Sequence, residues 1–264
     1  MTTTLTILGC GSSGGVPRIG NDWGICDPAN PKNRRRRCSV MVERQGPQGT
    51  TRVIIDTSPD MRDQMLSENV GEIDGVWYTH EHADHTHGID ELRGFFLRQR
   101  KRVSIWADAV NMAMLKNRFA YCFQSPAGSD YPPTLMAHDI EPGMEIETNG
   151  AGGTISAMPF TVHHGNIDAL GFRIGNTAYT PDLNGIPDAS VPYLQNLDLW
   201  IVDALKRTTH PSHFSLPETL AEIARFKPER AVITNMHVDL DFATLQQELP
   251  TGVTPAYDGL KLPI

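Results

Sequence analysis

Three imidazoles and two carboxylates fall within six residues, His80-Glu81-His82-Ala83-Asp84-His85. In an extended segment side chains alternate sides, so His80 and His82 point the same way and can grip one metal ion. Asp84 and His85 follow after a turn, where they can face a second ion beside the first. Imidazole plus carboxylate suits Zn²⁺, Mn²⁺ or Fe²⁺. The plainer reading is a solvated, His-rich loop. Against it stands the run just before, Gly75-Val76-Trp77-Tyr78, which is apolar and aromatic and reads as a buried strand. A strand end opening into a loop is where α/β proteins place their chemistry.

Other metal-capable side chains follow other candidate strands. His163-His164-Gly165 come directly after a strand over 153–162, Asp182 after one over 177–180, and His237 after one over 230–234. Any one alone is more often an ordinary loop residue; several such placements together are hard to obtain by chance. Asp56 ends a strand over 52–56. It is placed either to hold an imidazole of the cluster through its second nitrogen or to cap the helix behind it. In that helix Ser58 reads as the cap and Pro59 as the first helical position. Residues 4–8, 38–43, 103–106, 169–175, 198–203 and 253–257 complete the strands. Residues 90–99, 108–121, 190–196, 216–226 and 241–248 read as helices. The order is strands, strand–helix alternation, strands, alternation again, which suggests two sheets face to face with helices outside. Residues 17–37 read as a long irregular loop, and 122–138 as another that forms a wall or lid of the site.

Gly9-Cys10-Gly11-Ser12-Ser13-Gly14-Gly15 follows the first strand. A phosphate cradle is one reading and a tight turn the plainer one; no Gly-Lys-Ser/Thr follows, so it is not a P-loop. Arg34-Arg35-Arg36-Arg37 either bind phosphate or nucleic acid or, more commonly, pair with nearby carboxylates. His87 and His138 read as structural.

A chain of 264 residues with 39% hydrophobic and 20% charged residues has a globular composition, read as a single domain over 1–264. No apolar run is long enough to span a bilayer. Met1-Thr2-Thr3-Thr4-Leu5 does not open a signal peptide, so a cytoplasmic location is expected. Cys10, Cys26, Cys38 and Cys122 form no C-x-x-C pair and are expected as free thiols. A net charge of −8 disfavours a dedicated nucleic-acid binder.

With these residues in place, the chain resembles the metallo-β-lactamase fold superfamily, whose signature is the H-x-H-x-D-H string. Within it the chain is most similar to the branch of ribonuclease Z and phosphoribosyl 1,2-cyclic phosphate phosphodiesterase. Thr6-Ile7-Leu8-Gly9-Cys10-Gly11, Arg36-Arg37-Cys38-Ser39, His164 ahead of Leu170-Gly171-Phe172, and Asp258-Gly259 carry that likeness. The resemblance implies an α/β, four-layer αββα sandwich of two mixed sheets with helices on the outer faces. It implies two divalent ions, Zn²⁺ or Mn²⁺. His80, His82 and His164 would hold one, Asp84, His85 and His237 the other, and Asp182 would bridge both. His163 is a neighbour able to swap with His164, and the following Gly165 favours His164. An aspartate at 182 departs from the β-lactamases, which use cysteine there. The cyclic phosphodiesterase's extra structural zinc is not expected, since only Cys26 stands in the early loop. His237 itself departs from the family, whose last ligand directly follows the strand-end threonine; here Asn235 follows Thr234.

The activity implied is hydrolysis of a small cyclic phosphate or nucleotide-like phosphodiester by a metal-bridging hydroxide. Asp84 would orient the nucleophile. His213, with His210 the weaker candidate, would bind phosphate or protonate the leaving oxygen. The expected partner is a small phosphorylated substrate, with a nucleoside monophosphate as product or analogue. No membrane partner is expected, nucleic acid is disfavoured, and a homodimer is left open. Rival readings are a tRNA 3′-processing endonuclease, a lactonase or thioester hydrolase, and a metal-binding protein without catalysis.

Overall fold

The computed structural model describes residues 2–264. The first half of the chain supplies β1 (Thr2–Gly9), β2 (Ser39–Gly46), β3 (Gly49–Ile55), β4 (Gly75–Trp77), β5 (Val103–Asp108) and β6 (Leu135–Ile140). The second half supplies β7 (Ile146–Gly150), β8 (Gly153–His164), β9 (Ile167–Ile174), β10 (Thr177–Thr180), β11 (Leu199–Asp203), β12 (Arg230–Thr234) and β13 (Val253–Pro255). A last strand, β14 (Lys261–Pro263), returns to the first half. One seven-stranded sheet runs β14-β1-β2-β3-β4-β5-β6 and the other β13-β12-β11-β10-β9-β8-β7. Both are mixed. In the first, β14 to β3 pair antiparallel and β3 to β6 parallel. In the second, β7 to β10 pair antiparallel and β10 to β13 parallel. Helices lie outside, giving the αββα sandwich.

Strand alternation decides which side chains fill which layer. Val40, Val42, Val53, Ile55 and Trp77 of the first sheet meet Phe172, Leu199, Ile201 and Val232 of the second in one buried core. Their neighbours Met41, Ile54 and Val76 face the other way, under α1 (Met61–Ser67), α3 (Leu92–Gln99) and α4 (Ala109–Arg118). Trp200 and Val202 face outward on the second sheet, with Phe226 of α6 (Leu216–Phe226) over them. Trp77 joins the layers: its ring centroid lies 5.6 Å from that of Phe172, and its indole N–H donates to Thr148 Oγ1 at 3.1 Å. Truncating a buried aromatic of this kind costs about 3–5 kcal/mol.

The helix over 216–226 forms where its sequence placed it, because Ser215 and Glu218 make a reciprocal capping box before the apolar face. α1 does not start at Ser58. Asp60 takes the cap position, while the Ser58 hydroxyl donates to Gln64 Oε1 at 3.1 Å and accepts from the Asp60 N–H. The irregular stretch expected over 122–138 is also shorter than read. Its end, β6, pairs in parallel with β5, and the rest does not line the cavity described below. β6, β7 and β14 stand outside the expected strands, and each is a sheet edge, paired on one side.

Candidate metal centre and active site

The sites of both sheets open at one end, where β3, β4, β8, β10, β11 and β12 run out. After β4 the chain stays extended through His82, whose φ and ψ are −61° and 151°. It then turns into α2 (Ala83–Thr86). The turn swings Asp84 and His85 back toward His80. His80, His85, His164 and Asp182 are all buried.

Each buried ring is fixed through one nitrogen, with the other turned toward Asp182. Thr79 Oγ1 donates to Asp56 Oδ2 at 2.7 Å, so it accepts from His80 Nδ1 at 3.0 Å. His85 Nδ1 bonds the same Asp56 oxygen at 2.7 Å. His164 Nδ1 donates to the Ser212 carbonyl at 2.6 Å. Asp56 holds a left-handed backbone, φ 66°, at the end of β3. Strain of this kind is retained where a site requires it. It caps no helix; it holds an imidazole, and through Thr79 a second one.

These nitrogens converge. His80 Nε2 and His85 Nε2 are buried with no hydrogen-bond partner. His164 Nε2 lies 3.1 Å from His82 Nδ1. Asp182 sits among them, 3.3 Å from His85 Nε2 and 3.8 Å from the Nε2 atoms of His80 and His164. Ring nitrogens gathered around a carboxylate need positive charge between them, a proton or a metal cation. Three groups are close enough to share one ion: His80, His82 and His164; His80, His85 and Asp182; and His164, Asp182 and His213. The donor set therefore fits divalent cations.

The charge balance says the same. Burial resists a charge on His85, yet Asp182, Asp56 and Asp84 outweigh it and raise its proton affinity well above the usual. His80, by contrast, is held well below the usual by burial and by His85. Burial works against the Asp182 carboxylate, but His85, His213 and His80 keep it ionised well below the usual range. The centre demands positive charge that its own imidazoles cannot all carry.

Beside the cluster, His213 Nδ1 donates to Asp203 Oδ2 at 2.7 Å. Burial opposes protonation of His213, but Asp203 and Asp182 overcome it and raise its pKa to about 9. Burial pushes Asp203 up to about 7 although His213 pulls it down. His213 is thus held as an imidazolium beside the cluster. Asn235, at the end of β12 with φ 60°, donates to Asp182 and Asp203 at 3.3 and 3.2 Å.

Asp84 lines the cavity, its Oδ2 3.5 Å from His85 Nε2. Strand alternation turns His164 inward and His163 outward, where His163 pairs with Asp168. His237 stands on the cavity wall but outside the three groups. Asn235 takes the strand-end position, and His237 Nδ1 instead bonds Asp239 Oδ1 at 3.1 Å. His210 is on the same wall, its ring 5.2 Å from that of His213. His87 packs on Phe119 and His138 stacks on Trp106, both outside the cluster.

Asp203, which holds His213, and Lys206, which lines the cavity, stand outside the expected site residues, whereas Ser12 and Ser13 of the glycine-rich run do line it. Asp203 carried the signal that found Asp56, a carboxylate closing an apolar strand, and it went unused. The arginine run is structural. Arg35 is buried and donates to Leu240 O at 2.6 Å, Arg36 pairs with Asp258, Arg37 with Asp60, and Arg34 lies over Trp23. Gly9 and Gly11 let that run pack against the loop: a Cβ on Gly9 would fall 2.0 Å from Arg37 O, and one on Gly11 2.9 Å from Arg35 Cβ. All four cysteines are free and buried.

Residues 51–236 match the family model of the beta-lactamase superfamily domain. The chain belongs to that superfamily, as a metal-dependent hydrolase with the metallo-β-lactamase fold, and within it is similar to the PhnP family. A diphosphatase of the PhnP family is 36% identical, with TM-score 0.87 over 98% of this chain and 97% of its own. Short-form human tRNase Z shares the fold, with TM-score 0.62 and 16% identity over 98% of each chain. The octanoyltransferase of Porphyromonas gingivalis (strain ATCC BAA-308 / W83) is 29% identical over 263 residues, 97% of this chain and 50% of that protein. The chain thus spans half the length of that curated relative. No helix among the described residues is long and apolar enough to cross a membrane.

Proposed function

We propose that the chain is a dinuclear metal-dependent phosphodiesterase acting on a small cyclic phosphate or nucleotide-like phosphodiester. The observation that carries this is the junction of two devices in one cavity. One is a set of imidazole nitrogens converging on Asp182. The other is an imidazolium, His213, held by Asp203. The 36% identity to a PhnP-family diphosphatase supports phosphorus as the centre attacked.

In this reading His80, His82 and His164 would hold one cation, Asp84 and His85 the other, and Asp182 would serve both. When bound, two such cations would activate water and neutralise charge on the phosphoryl oxygens. The chain's own residues do the rest. Asp84 accepts a hydrogen bond from the attacking water and orients it. Asp203 holds His213 by Nδ1, so that its other N–H is free to protonate the leaving oxygen. Such a proton donor is typically worth about 10²–10⁴ in rate. The cavity, about 350 Å³, stands at the small end of the roughly 300–1,000 Å³ that small-molecule sites occupy. With a net charge of −8, that favours a compact ester over tRNA.

The test is a substrate panel run before and after chelation. Bis-p-nitrophenyl phosphate should be hydrolysed, chelation should abolish turnover, and Zn²⁺ or Mn²⁺ should restore it. Faster turnover of lactones or thioesters than of any phosphodiester would overturn the reading.

A further inference from the structure

The imidazoles of the candidate centre are not all held alike. His80, His85 and His164 each have a partner behind the ring: Thr79, Asp56 and the Ser212 carbonyl. His82 has none. Among the described residues the one hydrogen-bond neighbour of its ring is His164, itself part of the cluster. The place of His82 is therefore set through the backbone around it, and two groups do that. Thr86 Oγ1 donates to the His82 carbonyl at 2.9 Å. Arg118, in the last turn of α4, donates through one terminal nitrogen to the Glu81 carbonyl at 2.6 Å and through the other to Glu81 Oε2 at 3.2 Å.

The grip suits a guanidinium. Glu81 stands between His80 and His82, past the end of β4 and outside both sheets, so no strand partner takes its carbonyl. A planar fork that meets two acceptors of one residue fixes the rotation of the peptide as well as its position; a single ammonium does not. The contact is one of three that the junction between α4 and α5 (Ala120–Phe123) makes with the outer side of the turn. The Phe119 ring meets that of His87 edge to face, centroids 5.7 Å apart, and Tyr121 Oη donates to Asp90 Oδ1 at 2.6 Å. α4 is itself anchored in the core by Met112 and Leu115. The junction thus ties the metal-binding turn to a rigid element that contributes no ligand.

We infer that Arg118 is a positioning residue for the metal centre. Through the Glu81 peptide it sets His82 in register with His80 and His164, and so governs the affinity for the ion those three would share. This rests on the paired-cation part of the proposed function. Arg118 does not line the cavity, so its effect on the centre passes through Glu81. The Arg118 side chain is 35% exposed and that of Glu81 22%. A pair so placed adds little to the stability of the fold, and what its removal costs the centre is position.

The experiment titrates metal-free wild type, Arg118→Met and Arg118→Lys with Zn²⁺ against a chelating dye. Arg118→Met should weaken one of the two equivalents by about tenfold and leave the other as in wild type. Arg118→Lys should recover part of the loss, since an ammonium serves one acceptor well and not both. With Co²⁺ in place of Zn²⁺, the visible absorption of Arg118→Met should differ from wild type in one equivalent only. Thermal unfolding of the metal-free proteins should coincide. Both equivalents held as in wild type would overturn the assignment. So would a lowered melting temperature with both equivalents weakened alike, which marks a merely structural contact. If the wild type binds no metal, the metal-centre reading fails instead, and hydrogen exchange tests the positioning alone. The His85 amide, bonded to the His82 carbonyl at 3.0 Å, should exchange about tenfold faster in metal-free Arg118→Met, and unchanged protection would refute it.

Discussion

The two sheets supply the metal centre in opposite ways. The first delivers His80, His82, Asp84 and His85 from one strand end and the turn behind it. The second delivers one group from each of four strand ends: His164 from β8, Asp182 past β10, Asp203 from β11 and Asn235 past β12. The support differs too. His85 leans on a buried carboxylate, Asp56, and His80 reaches it through Thr79, whereas His164 leans on a neutral carbonyl, that of Ser212. A contiguous motif can be fixed by one charged partner behind it. A dispersed set must be brought together by strand register, which demands that the whole second sheet be formed.

Breaking the point where the two halves meet should have the largest effect. Asp182 lies within 3.8 Å of ring nitrogens from both sheets. Asp182→Asn should reduce phosphodiester turnover to the chelated background, measured in steady state with metal in excess. The catalytic dyad comes next, and it belongs to the second sheet alone. His213→Ala should lower kcat by about 10²–10⁴ and keep the folded structure by circular dichroism. The sign of its pH dependence follows from the proton it must donate. With a pKa raised to about 9, His213 stays charged through neutral pH, so wild-type kcat falls as pH rises through about 9. That limb should vanish in His213→Ala.

Asp56→Asn sharpens the contrast in support. It leaves His80 and His85 without the carboxylate behind them and should weaken metal affinity by about 10–100-fold, read by competition with a chelating dye. The smallest effect lies at the early loop. Asp241 caps α7 (Phe242–Glu248) through Thr244 N and accepts from Asn33 and Asp27 N. Burial pushes its carboxyl up, but Thr244, Asn33 and Asp27 outweigh that and lower it to about 2. A depressed carboxylate stabilises the fold above its unfolded pKa and loses that effect as pH falls toward 2. Asp241→Ala should cost about 1 kcal/mol at neutral pH, with a smaller difference from wild type in acid, by urea unfolding.

The legibility of the sequence follows the same division. The string around His80 declared itself because its spacing and the strand before it are local. His164 over His163 was readable because alternation turns one inward and leaves the other paired with Asp168. The central strands were readable for the same reason. Of the four edge strands only β13 was readable; β6, β7 and β14 were not. At β12 Asn235, just past the strand, reaches Asp182, and His237, two residues on, stands on the cavity wall. Asp203, a carboxylate at the end of β11, gains its meaning only when His213, ten residues on, folds back over it. Lys206 carries no motif and becomes visible only where the fold sets it on the cavity wall.

The central claim is that imidazoles and carboxylates from both sheets form one paired-cation centre. Elemental analysis of purified protein after loading with Zn²⁺ or Mn²⁺ and desalting tests it most directly. Two equivalents should be found in the wild type, and one or fewer in His82→Ala and in Asp182→Asn. Less than one equivalent in the wild type, or two retained by both variants, would contradict it.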